Sequence, residues 1–173
     1  MKKLKGIALV FIGLFATVTL LSLLIPNKVV IAKSVTVQAD SLLLFNKICD
    51  LQNWKNWHPV FMDSTVKKTY STLPNAENSF VTWTTNGHQN KLVITKKQYP
   101  FVEMALKREG ENDVENIFSI MPIQEQGNMQ VQWQTITKLK WYPWEKFSGI
   151  FIEKMAGEGY EAALQSLKKS IEN

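Results

Sequence analysis

Residues 144–171 read WEKFSGIFIEKMAGEGYEAALQSLKKSI, and this stretch decides which fold the chain can adopt. Bulky apolar residues recur in it at spacings of three and four, in a first run of Phe147, Phe151 and Met155 and a second run of Tyr160, Leu164, Leu167 and Ile171. The spacing predicts an amphipathic helix whose single apolar stripe needs a broad surface to pack against. Gly157 and Gly159 interrupt the pattern, so we expect a bend or a break between the runs.

The preceding part of the chain predicts a β-sheet that can supply this surface. Candidate strands cover residues 64–71, 78–86, 91–99, 101–109, 114–123 and 128–138. Short links with turn residues, such as Asn86-Gly87, join them, and links of this kind connect antiparallel neighbours. Apolar and polar residues alternate in several strands, so that Val102, Met104 and Leu106 fall on one face. We therefore predict a six-strand meander with one apolar face and one solvated face.

One further strand and two short helices precede the meander. The run VVIAKSVTV is rich in β-branched residues and predicts a long strand. Asp40 or Ser41 is placed to cap a short helix, and Trp54 and Trp57 predict a second short helix or turn that Pro59 closes. The order of one strand, two helices, six strands and a long helix predicts an α+β domain with a seven-stranded antiparallel sheet.

Residues 7–25 form a run of nineteen uncharged, mostly apolar positions. As a helix they would be about 28 Å long, close to the ~30 Å hydrocarbon core of a membrane. The run is longer than the apolar core of a signal peptide and no small-x-small cleavage site follows it, so it predicts an uncleaved signal anchor. Lys2, Lys3 and Lys5 precede the run and predict a cytoplasmic N-terminus. The predicted organisation is a cytoplasmic segment at 1–6, a transmembrane helix at 7–25 and a domain at 28–173 on the outer (periplasmic or extracellular) face.

The net charge of +5 comes mostly from the N-terminal segment. Without Lys2, Lys3 and Lys5, 17 basic residues stand against 15 acidic ones, a net charge of +2. The sequence has no run of Lys and Arg that could follow a phosphate backbone, which argues against nucleic acid as a partner. Cys49 is the only cysteine, so an internal disulfide is excluded and the core must hold the fold. We expect Cys49 to be a small buried residue rather than a nucleophile.

Several motifs resemble the START / polyketide-cyclase (SRPBCC) superfamily over residues 28–172. The segment VTVQADSLLLFNKICDLQNWKNWHP is similar to the family opening, with a W-x-x-W-x-P turn at 54–59. The run GNMQVQWQT at 127–135 resembles the last strand, and EKMAGEGYEAALQSLKKSIE resembles the terminal helix of the bacterial polyketide-cyclase-like branch. The resemblance implies a helix-grip fold, with a curved sheet around the long C-terminal helix, in a membrane-anchored bacterial member. His58 and Asn128 depart from the family pattern.

Residues that would carry catalysis or bind a metal are sparse. His58 and His88 stand thirty positions apart without further ligands at metal-binding spacing, so neither a metal site nor a cofactor is predicted. The sequence has no Gly-x-Ser-x-Gly elbow, phosphate-cradling loop or dinucleotide fingerprint. Carboxylates fall beside turns or on polar faces, and no catalytic set is predicted. A cyclase-, dehydratase- or hydrolase-like enzyme remains an alternative, with His58, Tyr160 or Glu109 as its acid–base group.

Aromatic, sulfur-containing and other apolar residues remain as the candidate site. If the terminal helix is held against the sheet as in the family, its stripe and the concave face enclose an apolar pocket. The candidate cavity residues are Trp54, Trp57, Phe80, Trp83, Met104, Leu106, Phe118, Met129, Trp133, Phe151, Met155 and Tyr160. For any single one, a packed core is the competing interpretation. The leading hypothesis is a membrane-anchored, non-enzymatic domain that binds a lipid or lipophilic small molecule. A ligand-free protein-interaction module using the same surface is a further alternative.

Overall fold

The chain forms one antiparallel sheet, with a long helix near each end of the sequence. The computed structural model describes residues 2–123 and 127–172. The helices are α1 (Lys2–Ser22), α2 (Ser41–Cys49), a 3-10 helix (Leu51–Asn56), α3 (Pro59–Met62) and α4 (Pro143–Glu172). The strands are β1 (Lys28–Gln38), β2 (Lys68–Tyr70), β3 (Phe80–Thr85), β4 (His88–Gln98), β5 (Phe101–Arg108), β6 (Val114–Pro122) and β7 (Asn128–Lys138). This order confirms the predicted α+β architecture.

The strands pair in the order β1-β7-β6-β5-β4-β3-β2, and the pairs are antiparallel. The six strands β2 to β7 therefore form the predicted meander, and β1 pairs with β7 at its far edge. The β3–β4 hairpin turns at Asn86 and Gly87, whose φ angles of 52° and 80° are the left-handed values that tight hairpins need. β2 is shorter than the predicted 64–71, because Asp63 accepts hydrogen bonds from the N–H and the hydroxyl of Thr65 and holds this part in a turn.

Caps and tryptophans organise the chain between β1 and β2. Asp40 caps α2, as predicted, by accepting hydrogen bonds from two N–H groups in the first turn. The prediction that Pro59 closes the second helical segment is wrong. Pro59 is instead the first residue of α3, a position where a residue without an N–H is tolerated. The indole Nε1 of Trp54 donates to the Ile48 carbonyl at 2.8 Å, which ties the 3-10 helix to α2.

The concave face of the sheet packs against α2, the 3-10 helix and the second half of α4. Val102, Met104 and Leu106 alternate inward along β5 and are buried, as their spacing predicts. From α4, Leu164 and Leu167 complete the core, each at most 1% exposed. Burying a large aliphatic side chain of this kind contributes about 1.5–3 kcal/mol, so these contacts hold α4 on the sheet.

α4 is continuous, so the predicted break at Gly157 and Gly159 is wrong. Its two apolar runs do not share one side of the helix. At about 100° per residue, the second run lies nearly half a turn around the axis from the first run. A continuous helix on one sheet can bury only one of them, and it buries the second: Leu164 is 1% exposed, whereas Met155 is 82% exposed.

The first half of α4 presents small residues to the sheet. At Gly149 an added Cβ would lie 2.4 Å from Cδ1 of Leu139 and 3.3 Å from Cγ2 of Val29, so the helix approaches β1 closely there. Further along, Ala156 and Gly159 face a space above the sheet. The small residues thus place the helix near the sheet at one point and leave room beneath it at another.

α1 contains an 18-residue segment, Lys5–Ser22, that is long and apolar enough to cross a membrane. The residues that follow α1 are hydrogen-bonded to the start of α4 and to the segment just before it. Lys146, in the first turn of α4, is 7% exposed and donates through Nζ to the Ile25 carbonyl at 2.7 Å. The N–H of Leu139 donates to the Asn27 carbonyl at 2.8 Å. These two bonds fix where the end of α1 meets the start of α4.

Candidate functional site

A cavity of about 390 Å³ lies between α4, α3 and the concave face of the sheet. Its walls are largely apolar. The helical segment before β2 contributes Trp54, His58 and Phe61, and α4 contributes Ala156, Gly159, Tyr160 and Ala162. The sheet contributes Trp83, Leu92, Leu106, Arg108, Asn116 and Trp133. The volume falls within the ~300–1,000 Å³ of typical small-molecule sites.

His58 is held among aromatic rings on one wall of this cavity. It stacks on Trp54, with ring centroids 5.1 Å apart and an interplanar angle of 17°. The rings of Phe61 and Trp133 lie 5.2 Å and 5.8 Å from it. The backbone N–H of His58 donates to the Trp54 carbonyl at 2.8 Å, so the W-x-x-W-x-P turn positions the imidazole as well as the tryptophans. Aromatic pairs of this kind contribute about 0.5–1.5 kcal/mol each, which makes the wall rigid.

The imidazole of His58 is electrostatically unusual. Burial lowers the pKa of His58 to about 4, so the ring is neutral at pH 7. A neutral imidazole carries one N–H donor and one acceptor nitrogen. Its Nδ1 is buried and has no hydrogen-bond partner in the part of the chain that the structure describes. His58 is therefore a polar group in an apolar wall, with a buried nitrogen that the described part of the fold does not satisfy.

Two further polar side chains mark one end of the cavity. Asn116 is 3% exposed, and its Oδ1 accepts a hydrogen bond from Nε1 of Trp133 at 3.1 Å. Arg108 forms an ion pair with Glu111, with Nη1 and Oε2 2.9 Å apart. Asn116 is satisfied within the fold, whereas the half-buried Arg108 carries a charge at the cavity wall.

A second cavity of about 320 Å³ adjoins the first beneath α4. Arg108, Ala156 and Tyr160 line both cavities and separate them. The second cavity has a mixed lining, in which charged Glu111 and Glu145 share the walls with apolar Ile31 and Val114. An apolar chamber thus lies next to a charged one, with Arg108 between them.

The structure brings together five of the twelve predicted site residues on the wall of the 390 Å³ cavity: Trp54, Trp83, Leu106, Trp133 and Tyr160. Trp57, Met104 and Phe118 are buried in the hydrophobic core, and Met129 packs against that core. Phe80 lies apart from them, with Nζ of Lys91 4.4 Å from its ring centroid.

Phe151 and Met155 lie on the surface of the described structure, 61% and 82% exposed. They do not line the cavity, so the interpretation of the first run as a pocket floor is corrected. The physical reason is the half-turn offset between the two runs, which directs the first run away from the sheet once the second run is buried.

Two lining residues outside the predicted set have a recognisable sequence signal. Phe61 follows Trp57 by four positions, which continues the helical spacing of the two tryptophans. Asn116 occupies an inward position of β6 between Val114 and Phe118, so a polar residue falls within an alternating apolar pattern. Arg108 has no comparable signal, because it ends its strand next to a turn.

Other candidate groups do not form reactive sites. The residues that the structure describes contain no cluster of His, Cys, Asp or Glu that could hold a metal ion. Cys49 is buried, and burial raises the pKa of its thiol to about 11, as expected for a packed cysteine and not for a nucleophile. Glu109 is exposed and accepts a hydrogen bond from the N–H of Gln89, away from the cavity. His58 and Tyr160 are thus the two proposed acid–base groups that reach the cavity.

No protein-family model matches the sequence, and no curated protein matches it either. Solved structures do match. A START superfamily protein from Mycobacterium smegmatis superposes with a TM-score of 0.62 at 17% identity, over 83% of this chain and 97% of that one. A solution structure from Thermobifida fusca gives a TM-score of 0.62 at 14% identity, over 80% of this chain and 90% of that one.

An enzyme is also among the matching structures. Truncated norcoclaurine synthase from Thalictrum flavum superposes with a TM-score of 0.62 at 11% identity, over 82% of this chain and 92% of the other. Identities this low carry information about the fold and not about the ligand or the reaction.

Proposed function

We propose that this chain, which has the START-like helix-grip fold, binds a lipophilic small molecule or a single-chain lipid next to a membrane. The observation that carries the proposal is the 390 Å³ apolar cavity beneath α4. Small residues, Ala156 and Gly159, face it where bulky side chains would have filled it. An apolar cavity of this size is favourable for a lipophile, because the ligand leaves water without displacing protein contacts.

The charged side chains of the adjoining cavity support a ligand with one polar end. A molecule in the apolar chamber that extends past Tyr160 would bring its end to Arg108. The guanidinium is paired with Glu111 at the surface, so an anionic or hydrogen-bonding group could exchange with that carboxylate at modest cost. His58 offers a neutral nitrogen to a donor or acceptor on the ligand body.

We propose that residues 7–25 anchor the domain to the membrane, with the N-terminus in the cytoplasm and the domain on the outer face. Only 6% of the apolar segment Lys5–Ser22 is buried, whereas the core helix of a soluble domain would be mostly buried. Leu9 and Val10 are each 71% exposed, so their side chains are available to lipid. The anchor would hold the cavity close to a source of lipophilic molecules.

Native mass spectrometry of the full chain, extracted with its surrounding lipid, tests ligand binding. We expect a lipophile to remain bound to the wild-type protein and to be lost in Ala156→Phe, because Ala156 is half-buried on the cavity wall and the new ring would occupy the cavity. Gln165→Phe is the matched control, since Gln165 is exposed on the same helix and should leave occupancy unchanged. A wild-type protein that carries no lipophile in any preparation would contradict the proposal.

One observation favours an enzyme as a second candidate. His58 lies on the cavity wall, and burial lowers its pKa to about 4, so it is an unprotonated imidazole next to the space that a substrate would occupy. In this function the neutral imidazole of His58 holds the reacting group by a hydrogen bond, since a pKa of about 4 makes it a weak base, and Tyr160 is the available phenol. The time course of the bound molecule's mass and chromatographic retention is the test. Turnover predicts a change in the mass or the chromatographic retention of the bound molecule with wild-type protein that His58→Gln abolishes, and a molecule unchanged in both would contradict the enzyme.

A further inference from the structure

The first half of α4 carries an unpartnered apolar surface, which we call the α4 stripe and define as Trp144, Phe147, Ile150, Phe151 and Met155. Four of these side chains are more than half exposed, from 58% for Ile150 to 82% for Met155. They lie on one side of the helix and span about 16 Å along its axis. Continuous exposed apolar surface of this kind marks a site of contact with another molecule or a membrane.

The first residue of the α4 stripe lies close in space to the residues that follow α1. Trp144 is two residues from Lys146, whose buried ammonium group donates to the Ile25 carbonyl at 2.7 Å. Ile25 lies three residues after the last residue of α1. A membrane that α1 crosses would therefore end at the level of the first turn of α4. The start of the α4 stripe therefore lies beside the end of the anchor.

The residues around the start of α4 are those found at membrane surfaces. Trp141 is 73% exposed, and the rings of Tyr142 and Trp144 stack at 4.5 Å with an interplanar angle of 24°. Tryptophan and tyrosine are enriched where hydrocarbon meets headgroups, because their rings are amphipathic. Lys140 and Lys154 lie at either end of this surface, where they can reach anionic lipid headgroups.

We propose that the α4 stripe and Trp141 lie in the headgroup region of the bilayer that α1 spans, so that the first half of α4 is an interfacial helix. The proposal rests on the membrane anchor proposed above. It has a consequence for ligand transfer: Ala156 and Gly159 follow Met155 within about one turn and line the cavity. The interfacial helix therefore holds the cavity wall at the membrane surface, where a lipophile can enter without crossing water.

A second copy of the chain fits the α4 stripe less well than a bilayer does. Stable protein interfaces use about 20–30 residues on each side, whereas the α4 stripe and Trp141 comprise six side chains in a narrow line. The opposite, second-run side of α4 is already buried against the sheet, so it cannot widen the contact. A bilayer requires no matching surface and accepts a line of apolar side chains of this width.

Depth-dependent quenching on the full chain in nanodiscs tests the proposal. Single cysteines replace Phe151, Met155, Gln165 and Phe11 and carry an environment-sensitive fluorophore. The lipids are brominated near the headgroup end of their acyl chains to reach the α4 positions and, in a second preparation, near the chain ends to reach Phe11, which lies near the middle of the span. Cys49 is buried with its thiol pKa raised to about 11, so labelling at neutral pH is confined to the introduced cysteines. Phe11 in α1 reports the anchor, and Gln165 is the exposed control on the second half of α4.

We expect bromolipid to quench the labels at positions 151 and 155 by about twofold or more, with no quenching at Gln165→Cys. Quenching at Phe11→Cys without quenching at positions 151 and 155 would overturn the interfacial helix and leave the anchor intact. Quenching at none of the four positions would overturn both. Labels at 151 and 155 that shift to the blue without quenching by bromolipid indicate a contact between protein copies, which also overturns the proposal. Native mass spectrometry of the same protein reports separately whether the cavity holds a ligand, so ligand binding and the interfacial helix are tested independently.

Discussion

At the scale of single residues, His58 couples the stability of the fold to pH. Burial lowers its pKa from 6.5 in the unfolded chain to about 4 in the folded one. Between these values the unfolded chain binds a proton that the folded chain does not, so the free energy of unfolding falls as the pH falls through this window. The loss is at most about 3 kcal/mol, since each pKa unit corresponds to about 1.36 kcal/mol.

Urea unfolding of the full chain in one detergent, from pH 7 down to pH 4, measures this loss. We expect His58→Phe to remove most of the pH dependence, because a phenyl ring fits the aromatic wall and does not titrate. His88→Gln is the control, since His88 is exposed in the β3–β4 hairpin and its replacement should leave the slope unchanged. An equal slope in wild type and His58→Phe would show that other groups cause the pH dependence.

Residue-level features of the site were only partly predictable. His58 was recognised as a departure within the W-x-x-W-x-P turn, but its pKa depends on burial among rings that come from distant parts of the chain. Trp133, 75 positions further on, supplies one of those rings. Trp54 and Trp133 were predicted because large aromatic residues at inward positions nearly always reach the interior.

At the scale of elements, α4 shows why one periodic pattern can hide two surfaces. Each apolar run has helical spacing, and the glycines between the runs predict a break at the wider step. The step from Met155 to Tyr160 is five residues, which rotates the second run by about 140° from the end of the first. A break would have reconciled the two runs. In the continuous helix, the first run instead points away from the sheet.

Two glycine substitutions in α4 are expected to act in opposite directions. Gly149→Ala should destabilise the fold by about 1–3 kcal/mol, because its Cβ would lie 2.4 Å from Leu139 and force the helix or that side chain to move. Gly159→Ala should stabilise it by up to about 1 kcal/mol, because alanine favours the helix and its Cβ meets no described atom within 4 Å. Thermal unfolding of both variants in the same detergent compares them. Equal shifts of the same sign would contradict the close approach at Gly149.

The sheet was the more predictable element. Five of the six meander strands lie within about three residues of their predicted bounds, because alternation and turn residues act locally. The predicted range of β2 begins four residues too early, because a side-chain hydrogen bond from Thr65 to Asp63 competes with strand pairing there. The cavity was less predictable, since its volume depends on where small residues of α4 face the sheet.

At the scale of the whole molecule, the hydrophobic core of the described chain contains no residue of the anchor helix α1. The core cluster runs from Val35 to Leu167. We therefore expect a chain of residues 27–173 to fold, with a lower melting temperature because buried Lys146 loses the Ile25 carbonyl. Without a bilayer the α4 stripe would be exposed to water, so this chain should self-associate as its concentration rises. Circular dichroism and analytical ultracentrifugation measure the two effects.

The double substitution Phe151→Ser with Met155→Ser should return the shortened chain to a monomer without lowering its melting temperature, because both side chains are on the surface. Gln165→Ser is the matched control and should leave the association unchanged. Association that persists in the double variant would assign the contact to a surface other than the α4 stripe.

The close approach of the tryptophans has an optical consequence. The rings of Trp54 and Trp57 are 4.8 Å apart, and that of Trp133 lies 6.2 Å and 6.4 Å from them. Indoles at such distances exchange excitation energy, so the three behave as one chromophore beside the cavity. A molecule that enters next to Trp133, or a proton that binds to His58, would change their shared emission and their near-ultraviolet dichroism. The protein therefore contains its own spectroscopic reporter of what the cavity holds.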